Sequence, residues 1–392
     1  MSKRDHWDGV VAEPFPHAPH REPELENLLL DRQGLGDIRR KVDAGERLSF
    51  DDGMLLHDHP SLSAVGLLAD RVRQRMHGKK TYFNVNLHID YTNVCAYTCK
   101  FCAFAAKLGE DRAYTMELTD IEKRLAAFRG TDLSEVHMVA GIHPEKGYEY
   151  YLDMVRGAKR GMPDVHVKAF TMVEIDHMLN ISGKSEAEVF DDLREAGLGS
   201  CPGGGAEVLV DRVWKATFAE KIGPDDWLAT SRKVHRNGFR SNATMLYGHI
   251  EKPHERITHF ERLRELQDET GGFQTFIPLA FWPYNSKLQG YGKVTTGWLD
   301  LRMVALSRLM LDNVPHVKAY WVMLTPPIAQ TALSYGADDI DGTVTEERIT
   351  HDAGTTAPML LPREDLVHLI RSAGYEPVLR DTTYSKLETV GR

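Results

Sequence analysis

From residue 81 to about 345 the chain repeats one unit, a short apolar run followed by an amphipathic stretch at helical spacing. The runs are "TYFNVNLHI" (81–89), "EVHMVAG" (135–141), "VHVKAFT" (165–171), "GLGSC" (197–201), "RSNATMLYG" (240–248), "GFQTFIPLA" (272–280), "HVKAYWVML" (316–324) and a weaker "ADDIDG" (337–342). Helical patterns lie at 117–129, 148–161, 172–196 in two pieces, 225–237, 253–269, 297–312 and 326–335. A strand followed by a helix returns as a parallel neighbour. Eight such units fill roughly 260 residues, close to the ~250 of a parallel barrel. The expected fold is therefore α/β, a (β/α)8 TIM-type barrel over 81–345. A lead-in and helical extension (1–80) precedes it, and a C-terminal extension (346–392) packs on it.

Within the first extension, residues 1–20 hold three prolines and read as a poorly ordered lead-in. "ELENLLLDRQGLGDIRRKVDAG" is helical and closes at Gly45, Ser49 is a candidate N-cap, and "SLSAVGLLADRVRQRMHG" runs at helical spacing to Gly78. The tail predicts a helix at 363–374 and an extended segment at 376–382. The formal net charge of −9 offers no basic face for phosphates, which argues against nucleic acid as a partner. The N-terminus lacks a signal-peptide pattern and no apolar run reaches the ~18 residues of a membrane span, so a cytoplasmic protein is expected. Its four cysteines are then reduced thiols, and clustered ones suggest metal or redox chemistry.

Three of the four, Cys95, Cys99 and Cys102, stand just after the first strand, at the end of the barrel where chemistry gathers. Thiolates at this C-x3-C-x2-C spacing converge on one soft metal centre. Structural zinc wants four closed ligands, usually in paired C-x2-C knuckles, and an electron-transfer cluster wants four cysteines. One knuckle plus one cysteine satisfies neither. What fits is a 4Fe–4S cluster with three protein ligands and one open iron. Cys201, alone after the fourth run, reads as a free thiol, because a fourth ligand would close that iron.

The spacing, with the aromatic Phe101 before the last cysteine, resembles the radical S-adenosylmethionine superfamily. The resemblance implies that S-adenosylmethionine chelates the open iron and is cleaved to a 5′-deoxyadenosyl radical. It also implies cofactor contacts at later strand ends: Gly141 in "HMVAGIHPE", Glu174 in "AFTMVEIDHM", Gly203, Gly204, Gly205 and Glu207 in "SCPGGGAEVL", and Gly248, with Glu251 nearby, in "TMLYGHIEKPHE". Each has a plainer reading, a tight turn for the glycines and a helix-start charge for the carboxylates.

A narrower resemblance spans most of residues 20–390. "NLHIDYTNVCAYTCKFCAFA", "SCPGGGAEVL", "FIPLAFWPYNSKL" and the closing "AGYEPVLRDTTYSKL" resemble the aminofutalosine synthase family of the futalosine route to menaquinone. Dehypoxanthine futalosine cyclases and deazaflavin-type synthases share part of that signature. The implied reaction adds the adenosyl radical to 3-[(1-carboxyvinyl)oxy]benzoate, with aryl migration and loss of the carboxyl carbon. The products are 6-amino-6-deoxyfutalosine, methionine and bicarbonate, with electrons from a partner such as flavodoxin or ferredoxin. A metal-stabilised binding protein is the non-enzyme alternative. For a dicarboxylate on an arene, the candidate catalytic groups are His88, Arg240 and His143. Asn86, Tyr91, Phe281, Trp282 and Tyr320 are candidate walls for the substrate.

Overall fold

The computed structural model describes residues 23–290 and 293–391. The expected lead-in over residues 1–20, with His17 and His20, lies outside the described residues. Four helices come first, α1 (Pro23–Arg32), α2 (Gly36–Ala44), α3 (Phe50–Asp58) and α4 (Leu62–His77). Gly45 ends α2 in a left-handed conformation, φ 72°. Ser49 caps α3 reciprocally with Asp52, as its position in "LSFDD" suggests. These helices lie on the barrel's outer helices: Arg302 donates to the Leu56 carbonyl and Arg264 to that of Leu48.

The strands follow in order: β1 (Lys80–Asn84), β2 (Asn86–Ile89), β3 (Glu135–Met138), β4 (His166–Ala169), β5 (Leu198–Cys201), β6 (Arg240–Tyr247), β7 (Phe273–Ala280), β8 (His316–Val317), β9 (Asp339–Gly342), β10 (Glu376–Arg380) and β11 (Leu387–Thr389). β2 to β8 form one seven-stranded sheet, parallel throughout. β9 continues the ladder on both sides. Ala319 N donates to Asp339 O at 2.8 Å, Tyr82 N to Asp338 O at 2.8 Å, and His88 N to Thr345 O at 2.9 Å. The first expected strand is thus broken at Val85, and the eight-stave TIM-type fold of the sequence pattern is met. Leu87, Val136, Val167 and Phe276 face the helices in one large core, while the alternate positions of β2, β3 and β4 carry polar side chains.

The seventh run departs from expectation. Only His316 and Val317 are strand, and Trp321–Leu324 is a helical turn. Lys318 reaches Asp341 at 3.1 Å, and the Trp321 indole donates to Gly342 O at 2.9 Å. Both anchors turn the chain inward, so tertiary bonds override the strand propensity of "AYWVML".

The tail closes the N-terminal mouth. β10 pairs with β1 in parallel, and the chain then crosses under the barrel. The Thr382 carbonyl accepts from Gln274, and the Tyr384 hydroxyl meets Thr275 at 3.1 Å and Asp339 at 2.7 Å. Its ring stacks on His316 at 3.6 Å and 7°. The "RDTTYSKL" ending is a floor.

Candidate active site at the cysteine loop

Leaving β2, the chain makes an excursion that closes on itself. Thr92 bridges Thr115, and Cys95 N donates to Ala106 O at 3.0 Å. Cys95, Cys99 and Cys102 all sit half-buried on it. Two cations hold its shape. Lys107 Nζ donates to the carbonyls of Cys95, Ala96 and Tyr97 at 2.8–3.1 Å, and Arg112 donates to those of Ala103 and Ala105. On the far side Lys100 N donates to Thr217 O, and Thr98 donates to Glu220.

Burial pushes the Cys99 thiol up to about 12 and raises that of Cys102. Backbone N–H groups of Ala105 and Phe104 point at the Cys102 sulfur. Desolvated thiols on one loop, with amides aimed at sulfur, suit a centre whose positive charge takes them as thiolates. The donor set fits an iron–sulfur cluster. Cys201 does not join it: fully buried on β5, it is part of the main core.

The expected cofactor loops converge here, with several roles redrawn. Gly141 N donates to Thr92 O and Ala96 N to Ile142 O, zipping the loop after β3 to the cysteine loop. A Cβ on Gly141 would stand 2.4 Å from Val94 O, so the glycine admits the cysteine loop itself. Gly203, at φ 70°, lies so close to β6 that a Cβ would be 1.7 Å from Asn242 O. Gly204 accepts from the Trp227 indole, and Gly205 packs on Val173. Glu207 is not free for a ribose hydroxyl, because Lys221 Nζ binds it at 2.5 Å. That buried ammonium also lies 5.3 Å from the Phe101 ring and 4.5 Å from Phe218, beside Cys99 and Cys102.

Glu174 is likewise engaged, accepting from Thr171 and from the Tyr91 hydroxyl at 2.5 Å. Burial pushes its carboxyl up to about 7. Tyr91 therefore belongs to the helix-side core with Tyr150 and Phe170 and walls nothing inside the barrel. Gly248 N donates to Glu251, which Arg256 holds in turn.

Inside, the barrel has two walls. The His88 ring stacks on His137 at 4.4 Å, above the Glu135–Lys168 pair at 2.7 Å. Asn86 accepts from Val344 N and donates to Asp341. Tyr320 is buried beside Glu347 and Asp341. Burial and Glu347 hold the Asp90 carboxyl well above the usual carboxylate range. Opposite, Leu246, Phe281 and Leu288 form a separate apolar cluster with Phe101, Leu279 and Met323. Trp282 leans on this side, its indole donating to Met323 O at 3.0 Å.

Two candidates lie elsewhere. Arg240, expected at a ligand-bearing strand end, is the first residue of β6, exposed at the opposite mouth. His143 stays in its own turn, its Nδ1 accepting from Glu145 N at 3.1 Å. The sequence reading missed Lys107, Arg112, Lys221 and His137. The first two stand within reach of the motif and were legible as carbonyl donors, whereas nothing local marks Lys221.

Comparison with known proteins agrees with this geometry. Residues 89–263 match the radical SAM superfamily model and residues 270–391 the CofH/MqnC C-terminal region. The aminodeoxyfutalosine synthase of Thermus thermophilus is 44% identical over 358 residues, covering 91% of this chain and 96% of the relative. That of Streptomyces coelicolor is 45% identical over 363 residues, covering 90% and 93%. The crystal structure of methylornithine synthase superposes with a TM-score of 0.67 at 16% identity, over 86% of this chain and 96% of that one, which establishes the shared fold. A three-cysteine loop on the ligand-bearing mouth of a parallel barrel, with both family models matched in turn, means that this chain belongs to the radical SAM superfamily, in the group that carries the CofH/MqnC C-terminal region.

Proposed function

We propose that the protein is an aminofutalosine synthase, converting 3-[(1-carboxyvinyl)oxy]benzoate and S-adenosylmethionine into 6-amino-6-deoxyfutalosine, methionine and bicarbonate. The observation that carries this reading is the 44–45% identity to aminodeoxyfutalosine synthases over nine-tenths of the chain. Cys95, Cys99 and Cys102 are the cluster ligands. Bound there, a 4Fe–4S cluster with an open iron supplies the electron that cleaves S-adenosylmethionine to the radical that adds to the enolpyruvyl alkene. A partner such as flavodoxin or ferredoxin supplies the reducing electron.

The chain's own task is placement. Lys107 and Arg112 hold the cysteine loop by its carbonyls. Gly141 lets the neighbouring loop approach, and Glu174, through Tyr91 and Thr171, fixes the strand ends behind it. Lys221 sets a positive charge beside two of the thiols and neutralises Glu207. The Phe101–Leu246–Phe281 wall keeps water from the reacting carbon, while His88, Asn86 and Tyr320 line the polar side. In this reading the barrel over 81–345 carries the chemistry, and the described parts of the segments on either side, 23–80 and 346–391, brace it.

The test is anaerobic incubation of reconstituted protein with S-adenosylmethionine, reductant and the enolpyruvyl benzoate, followed by mass spectrometry. The adduct retaining the whole adenosyl group is expected. Release of 5′-deoxyadenosine with no adduct overturns the reading.

A further inference from the structure

A cavity of about 610 Å3 opens at the C-terminal mouth, between the cysteine excursion and the segments that follow β7 and β9. Asn93 and Ala103 line it from the cluster side, so it adjoins the reacting centre. Its other walls include Arg112, Tyr114, Arg348 and His351. In a chain of net charge −9, that is a locally cationic pocket. Glu347 raises the His351 imidazole above its ordinary value, which adds to that field. Asp352 is the one carboxylate of the lining.

The two arginines differ in what they have left to give. Arg112 directs its guanidinium to the carbonyls of Ala103 and Ala105. The exposed Arg348 makes no ion pair among the described residues; its guanidinium lies 5.3 Å from the Tyr114 ring centroid and is hydrogen-bonded to the Tyr114 hydroxyl. A guanidinium carries five N–H donors, so one that serves the Tyr114 hydroxyl leaves others for a planar bidentate acceptor. Its backbone is fixed, because Arg348 N donates to Asp90 Oδ2 at 3.1 Å at the end of β2. We propose that this cavity seats an arene carboxylate, the carboxylate on Arg348 and the ring beside Tyr114. A single fork next to Asp352 suits a monoanion, whereas a phosphate dianion would meet that acid. The ring end of the substrate then faces outward and the enolpyruvyl end inward, toward the cysteine loop.

The proposal rests on the aminofutalosine synthase reading, and the experiment separates the two. Calorimetry on the anaerobic holoenzyme compares the enolpyruvyl benzoate with the analogue whose ring carboxylate is a carboxamide. Wild type is expected to prefer the acid by about 10- to 100-fold, the range of a charge-assisted hydrogen-bonded pair. Arg348→Gln should lose that preference while binding the amide within about twofold, and Arg348→Lys should recover part of it. Unchanged visible absorbance and melting temperature show that the exposed position leaves fold and cluster intact. If Arg348→Gln keeps the acid-over-amide preference, the site is overturned even though wild type makes product. Tighter binding of inorganic phosphate than of benzoate to wild type, lost in Arg348→Gln, overturns the ligand class. If wild type makes no adduct, it is the functional reading that fails.

Discussion

The two mouths of the barrel are both rich in charge, and they use it in opposite ways. At the N-terminal mouth Asp338 is fully buried, accepting from Arg308, from His316 at 2.6 Å and from Val317 N at 2.8 Å. Asp339 is closed by Arg380 and Tyr384 in the same manner. His77, His316 and Asp338 bring ligand atoms within 4.8 Å of one another, but the Arg308 guanidinium already supplies the positive charge that a cation would. At the C-terminal mouth the thiols are half-buried, Asp90 Oδ1 has no hydrogen-bond partner, and Arg348 has no ion pair among the described residues. Single atoms of the floor also lack partners, Arg380 Nη2, Gln274 Oε1 and Thr382 Oγ1 among them, but its carboxylates are each paired with a cation. A carboxyl or guanidinium without an ion pair at a mouth is what a ligand can complete.

The sharpest way to break this contrast is at the thiols. Cys95→Ala, Cys99→Ala or Cys102→Ala should each abolish the brown cluster absorbance and product formation, measured by iron content and mass spectrometry. Cys201→Ala should keep both, since that thiol lies in the core. Equal cluster loss in all four would erase the distinction.

Next comes the floor. Asp338→Asn leaves the Arg308 charge buried without its partner, and breaking a buried pair costs about 3–5 kcal/mol. Denaturant unfolding should register that loss, while iron bound per folded chain stays at the wild-type level.

A pH series sharpens the same point. Burial lowers His77 from 6.5 to about 4. Below 6.5 the unfolded chain takes up a proton that the fold refuses, so stability falls as pH drops from 6.5 toward 4 and this contribution levels off below that. The depressed Asp338 adds a loss at lower pH, below the ordinary carboxylate range. His166 and His235 are lowered to about 4 as well, so His77→Gln should remove one proton's share of the upper slope and leave the lower part in place.

The smallest effect belongs to Lys107→Met. It removes three hydrogen bonds from an exposed ammonium to the loop carbonyls, each worth about 1 kcal/mol or less at such a surface. Slower iron incorporation with an unchanged melting temperature is expected. A lowered melting temperature instead would make the cysteine loop part of the stabilising framework.

Much of this was legible in the chain. β2 to β7 fall on the predicted runs because period-two apolarity and turn residues act over a few positions. The Ser49 cap and the Gly45 end are local for the same reason. Two of the misreadings share a cause. "HVKAYWVML" has strand propensity, but a lysine and an indole bonding to β9 turned it. Glu207 was expected free because its partner Lys221 reaches it only after the helix Asp211–Thr217 doubles back. Arg240 was offered as a strand-end residue although it opens its run, and in a parallel barrel the opening residue lies at the mouth away from the ligand.

The sequence by itself therefore determined the barrel, the three-cysteine loop at its first strand and the family, all carried by spacing along the chain. Only the tertiary structure decided how the barrel closes through β9, what the C-terminal ending does, and which cations remain unpaired. Those depend on pairs such as Gln274 with Thr382 and Asp90 with Arg348, brought together by packing across more than a hundred residues. Periodicity is a short-range property, while saturation of charge is settled by everything that folds around it.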